Sequence, residues 1–143
     1  MGAPPIHDKY GKKVMQRAFG KTFNPNPGPI SFGIDAGTFK IDGIIGEDIA
    51  VEIESLASKQ ARGAIVDIIC HPFPKKLVVL IEKYGNKYTE NQCRVLLDKF
   101  APDVVKQVIT LHGSGTNEKI SDDVQAVKDA VEKLRQSALD HKK

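Results

Sequence analysis

The sequence predicts an α/β domain, a mixed central β-sheet with helices packed on it, and three observations carry that prediction. Two runs in which apolar and polar residues alternate, Phe39–Ile45 and Ile49–Glu54, follow one another across the short stretch Gly46-Glu47-Asp48, as in a β-hairpin. A continuous apolar run, Leu77–Ile81, has the length of a strand covered on both faces. Between it and a further strand-like stretch, Val104–Leu111, lies a helical pattern, so the two strands are joined by a right-handed crossover and pair in parallel. Early strands joined by hairpins and late ones joined by helices give a sheet of mixed direction.

The 143 residues are expected to form a single domain, 1–143, with a core of ordinary size. A hydrophobic content of 41% beside a charged content of 27% is that of a globular chain in water. No apolar run approaches the ~20 residues of a membrane span. The N-terminus lacks the charged-then-apolar order of a secretory leader. A cytoplasmic protein with no membrane partner is therefore expected. Cys70, on the apolar face of its helix, and Cys93, near the start of the next, read as two buried free thiols. The four histidines (His7, His71, His112, His141) are too scattered for a zinc site.

In chain order, residues 1–8 contain Pro4-Pro5 and read as a loose arm. Lys9–Phe19 predicts a helix that buries Tyr10, Val14 and Ala18 and stops at Gly20. The alternate prolines of Asn24–Pro29 exclude helix and interior strand, leaving a turn or loop. Ile30–Ile34 reads as a first strand and Asp35–Thr38 as a turn into the hairpin. Ala57–Cys70 carries apolar residues at Ala57, Ala61, Ala64, Ile65, Ile68 and Ile69, a helix with one buried stripe. His71-Pro72-Phe73-Pro74 ends it. A helix from Thr89 or Asn91 to Phe100 is expected to bury Val95, Leu96 and Phe100. The Gly113–Asn117 loop lacks the lysine-serine/threonine ending of a phosphate loop. In the C-terminal segment 118–143, Asp122–Leu139 spaces Val124, Val127, Val131, Leu134 and Ala138 by threes and fours. This helix either packs on the sheet or pairs with a second subunit, as in a homodimer.

The hairpin carries the chemistry. A three-residue loop at 46–48 sets Asp42 directly across from Glu52, with Cβ atoms about 5 Å apart, and puts Asp42, Glu52 and Glu54 on one sheet face. Such a loop ordinarily has its glycine last, whereas here Gly46 comes first. Three acids are either the solvated face of an edge hairpin or a site for a positive group, for which a divalent cation with hard oxygen ligands is the natural choice. The helix that follows brings Lys59, Gln60 and Arg62, together with the positive end of its dipole, near those acids, where they meet phosphate or water. Net charge is only +3, yet between Lys9 and Lys40 six basic residues (Lys9, Lys12, Lys13, Arg17, Lys21, Lys40) face one acid, Asp35. That first third is either a phosphate-binding patch or a solvated basic face.

Asp42, nine residues, then Glu52-Ile53-Glu54 resembles the signature of the PD-(D/E)xK nuclease superfamily. The resemblance covers Asp42–Gln60 as a motif and Lys12–Gly113 as an order of elements, and it implies a restriction-endonuclease-like core. Ile41-Asp42 replaces the proline-aspartate pair, and Glu54 stands at the lysine position, as in a minority of restriction enzymes. What the resemblance implies, together with the hairpin geometry, is a metal-dependent endonuclease that hydrolyses DNA phosphodiesters. Asp42, Glu52 and the Ile53 carbonyl would hold Mg2+ (or Mn2+), and Glu54 would act on the attacking water as general base. Lys40, Lys59 or Arg62 would replace the motif lysine, with Lys40 best placed. Lys12, Lys13, Arg17, Lys59, Gln60 and Arg62 would contact the nucleic acid. The chain's size suits structure-selective cleavage or a catalytic subunit that relies on a partner. Two other functions stay open: a non-catalytic nucleic-acid-binding or assembly module of the same fold, and a metal-dependent enzyme acting on a small phosphorylated substrate.

Overall fold

Strand β5 (Ile49–Glu54) lies at the middle of the sheet, because its side chains are buried on both faces. The computed structural model describes residues 6–54, 58–81, 88–113 and 120–141. In chain order the elements are α1 (Ile6–Phe19), a 3-10 turn (Gly20–Thr22), β1 (Phe23–Asn24), β2 (Ile30–Ser31), β3 (Thr38–Phe39), β4 (Gly43–Ile45), β5, α2 (Ser58–Cys70), β6 (Lys75–Ile81), α3 (Thr89–Phe100), β7 (Val105–Leu111) and α4 (Ile120–His141). Five strands form one mixed sheet in the order β1-β4-β5-β6-β7. The first two pairings are antiparallel, and β5-β6 and β6-β7 are parallel. The expected α/β architecture is thus present, and the crossover through α3 gives the parallel pair that the sequence predicts.

Alternation along β5 divides the core in two. Ile49, Val51 and Ile53 join Leu77, Val79 and Ile81 under α1 and α4. Ala50 joins Val78, Leu80 and Val108 under α2 and α3. Helix α1 sits close on the sheet: a Cβ on Gly11 would fall 2.5 Å from Ile53 Cγ2. Helix α4 is pinned by Asp123, which is fully buried. Its carboxylate accepts from the Tyr10 hydroxyl and from the main-chain amides of His112 and Gly113, tying α1, the end of β7 and α4 together. Val127, Val131 and Leu134 are buried against α1 and the sheet. The α4 stripe therefore packs within its own chain, and the homodimer option loses the surface that motivated it.

Several local readings need correction. The alternation expected through Phe39–Ile45 breaks at residues 40–42, which lie between β3 and β4. Phe39 and Ile41 consequently join the core on the α2/α3 side, while Ile45 stays on the α1/α4 side. The strand read at Ile30–Ile34 ends at Ser31. Residues 32–37 form the turn of a separate two-stranded ribbon, closed by Phe32 N–H donating to Gly37 O at 3.0 Å. Strand β1 was not expected; the Phe23 ring lies over Gly43, in the space a Cβ would take. Residues 6–8 of the expected arm belong to α1. Helix α3 buries Thr89, Cys93 and Leu97, leaving Val95 at 60% and Phe100 at 63% exposed. Both cysteines are free, but Cys70 is exposed and only Cys93 is buried. No helix among the described residues is long and apolar enough to cross a membrane.

Candidate functional site

The antiparallel register pairs Gly43 with Val51, Ile44 with Ala50 and Ile45 with Ile49. One step further sets Asp42 opposite Glu52, as a three-residue loop requires. The loop works with its glycine first because Gly46 takes φ +59, a backbone state that side chains disfavour. Its amide donates to Thr22 O at 2.9 Å, anchoring the loop to the 3-10 turn that follows α1. Asp48 closes the loop's other end through an ion pair with Lys75 of β6.

The two acids are interlocked. The Asp42 amide donates to Glu52 Oε1 at 3.1 Å, and the Ile53 amide donates to Asp42 Oδ2 at 2.7 Å. An extended residue carries its N–H and C=O on the same side of its strand, so the Ile53 carbonyl also faces the Asp42 edge. Glu52 is only 6% exposed. Burial, and after it the Asp42 charge, push its carboxyl up to about 9; Asp67 of α2 and Glu54 add to the same effect. Glu54 lies two residues along the same face, half-buried, and its charge contributes with burial and Glu90 to raising the Cys93 thiol to about 11. Glu54 therefore lies on the side of α3.

A cleft of about 370 Å³ opens beside Asp42, lined by Lys12 of α1, the run Pro25–Pro29, Lys40, Ile41 and Asp42. Glu52 and Glu54 are not part of its lining. Lys40 is exposed and Lys12 half-buried. Of the other predicted contacts, Arg62 instead lines a groove with Tyr88, Gln92, Val95 and Leu96 of the α3 region. Lys13 and Arg17 are exposed on α1, outside the cleft lining. The side chains of Lys59 and Gln60 lie outside the described residues.

Among the described residues, no group of three or more His, Cys, Asp or Glu is disposed to hold a metal ion. What comes together is a carboxylate pair with a main-chain carbonyl at its edge. That donor set fits Mg2+, which keeps several waters and takes one or two carboxylates plus substrate phosphate rather than a full protein cage. Two features of the site escaped the sequence reading. Asp67 stands three residues after Ala64, at the margin of the buried stripe of α2, and that placement is the signal that would have found it. Lys12 was read only as part of a basic patch, since nothing local says that α1 reaches the hairpin. No protein-family model, curated protein or solved structure matches the chain.

Proposed function

We propose that the chain is a metal-dependent endonuclease acting on DNA, of the PD-(D/E)xK kind. The observation that carries this reading is the facing of Asp42 and Glu52 across the hairpin, one of them deeply buried, beside a cleft with two lysines. Asp42 and Glu52, with the Ile53 carbonyl, are the groups that would hold Mg2+ or Mn2+. When bound, the ion supplies Lewis-acid polarisation of a phosphate and an activated water. The chain's own residues do the rest. The hydrogen bond that Asp42 accepts from the Ile53 amide orients its carboxylate. Glu54, on the Glu52 side of the strand, accepts a proton from water. Lys40 neutralises phosphate charge at the Asp42 side of the cleft.

One observation favours a second reading. Glu52 and Glu54 do not line the cleft that contains Asp42, Lys12 and Lys40, as in a module that grips phosphate without cleaving it. Incubation of the chain with labelled single-stranded, duplex and branched DNA in Mg2+, Mn2+ or EDTA separates the two. Metal-dependent cleavage supports the endonuclease. Binding that weakens steeply with salt, without cleavage, supports the module. Indifference to DNA in all conditions removes both.

A further inference from the structure

We propose that Lys12 is the residue that grips the substrate phosphate in the Asp42 cleft, the fixed cation of the site. The inference rests on the phosphodiester reading above and deepens it.

Lys12 and Lys40 line the cleft with Asp42, and neither side chain makes an ion pair or hydrogen bond among the described residues. A lysine that lines a cleft without an ion-pair partner is available to an anionic group that enters it, and a phosphate oxygen accepts strong charge-assisted hydrogen bonds. The Pro25–Pro29 part of the lining carries no charged side chain, so two lysines stand in the cleft against the single carboxylate of Asp42, an excess of positive charge that suits an anionic occupant. The hydrogen bond from Asn26 N–H to Asn24 Oδ1, at 2.9 Å, shapes the start of that run.

Lys12 is better fixed than Lys40. Its neighbour Gly11 lies against Ile53 at a distance that excludes any side chain, so α1 is seated on the strand that carries Glu52. Two residues earlier, Tyr10 is buried and bonded to Asp123; two and three residues later, Val14 and Met15 are fully buried. Lys12 thus projects from a helix held on both sides of it, whereas Lys40 is exposed in the irregular link between β3 and β4. The ordinary role for such a residue is a lysine that lays its stem on apolar surface and leaves its ammonium in water. That role gives no special effect on a nucleotide.

The test compares wild type with Lys12→Gln, Lys12→Arg and Lys128→Gln, an exposed lysine of α4 that serves as a charge-matched control. Two measurements are made: single-turnover cleavage of DNA in Mg2+ across a salt series, and titration of thymidine 5′-monophosphate followed by amide NMR shifts. The expected result is a loss of roughly a hundredfold in cleavage rate for Lys12→Gln. Its binding should show a salt slope shallower by about one, with partial recovery in Lys12→Arg. Nucleotide-induced shifts should appear at Lys12, Asn26 and Lys40 in wild type and vanish in Lys12→Gln. Active wild type with an equally active Lys12→Gln overturns the proposal and leaves the endonuclease reading standing. Nucleotide shifts at Lys12 without any cleavage support the phosphate grip and refute the endonuclease. If Lys12→Gln fails to fold, full activity in Lys12→Arg with no nucleotide shift at Lys12 in wild type overturns the proposal equally.

Discussion

The Asp42 amide donates to Glu52 at 3.1 Å while the Asp42 carboxylate accepts from the amide next to Glu52, that of Ile53, at 2.7 Å. Glu52 holds the link that carries Asp42, and Asp42 holds strand β5. Burial, and after it the charge of Asp42, raise the Glu52 carboxyl to about 9, so Glu52 is the acid of the pair that keeps its proton near neutral pH. Glu52→Gln keeps the shape and removes the charge. We expect it to stabilise the metal-free protein above neutral pH by on the order of 1–3 kcal/mol, measured by urea unfolding at pH 8.5. A destabilised variant would show that Glu52 is ionised and held by a cation or donor.

The same group fixes a pH dependence. Between 4.5 and about 9 the folded protein keeps a proton that the unfolded chain has released, so the Glu52 contribution to stability falls as pH rises. Lys76 acts in the opposite sense. Its ammonium is buried, donates to His71 O at the end of α2, and is lowered to about 8 by burial. Between about 8 and 10.5 the unfolded chain holds the extra proton, so this contribution rises with pH. Unfolding free energies measured from pH 5 to 10.5 should lose the fall in Glu52→Gln and the rise in Lys76→Met. Identical profiles for all three proteins would contradict both assignments.

Asp123→Ala removes the carboxylate that accepts from the amides of His112 and Gly113 and from the Tyr10 hydroxyl. A loss on the order of 3 kcal/mol is expected by urea unfolding. Tyr10→Phe should cost less, and the two losses should not add, because both remove the same bond. Additive losses would mean that the bond contributes nothing.

Val127→Asp buries an unpaired carboxylate under α1. More than about 3 kcal/mol should be lost, with the cooperative unfolding transition abolished or far weaker. A folded, monomeric variant from a dimeric wild type in light scattering would instead restore α4 as a subunit interface.

Gly11→Ala places a methyl group against Ile53. Overpacking of about 1–3 kcal/mol should lift α1 from β5 and move Lys12 with it. DNA binding should weaken along with stability. Unchanged thermal stability would show that the helix seats more loosely than described.

Patterns local to one or two elements were legible in the sequence. The acidic pair could be placed because a three-residue loop and a period of two fix which residues face each other, and the apolar run Leu77–Ile81 announced a central strand. What required the folded chain was relative placement. Val95 and Phe100 look like a buried face until the crossover puts Cys93 and Leu97 against the sheet, which exposes them. Lys40–Asp42 leaves the strand because Phe39 and Ile41 are drawn to the opposite core. Arg62, read beside the acids, turns to α3 because its helix buries Ala61, Ala64 and Ile65 instead. Lys12 comes to line the same cleft as Asp42 on a helix seated by Gly11 against Ile53, a contact 42 positions apart in sequence that no periodicity encodes.

The central claim is that Asp42 and Glu52 form a cation site completed by nucleic acid, and calorimetric Mg2+ titration in the presence of DNA tests it most directly. Wild type should bind one ion, and Asp42→Asn, still folded by circular dichroism, should bind none under the same conditions. Wild type that takes up no divalent ion with DNA present would contradict the claim outright.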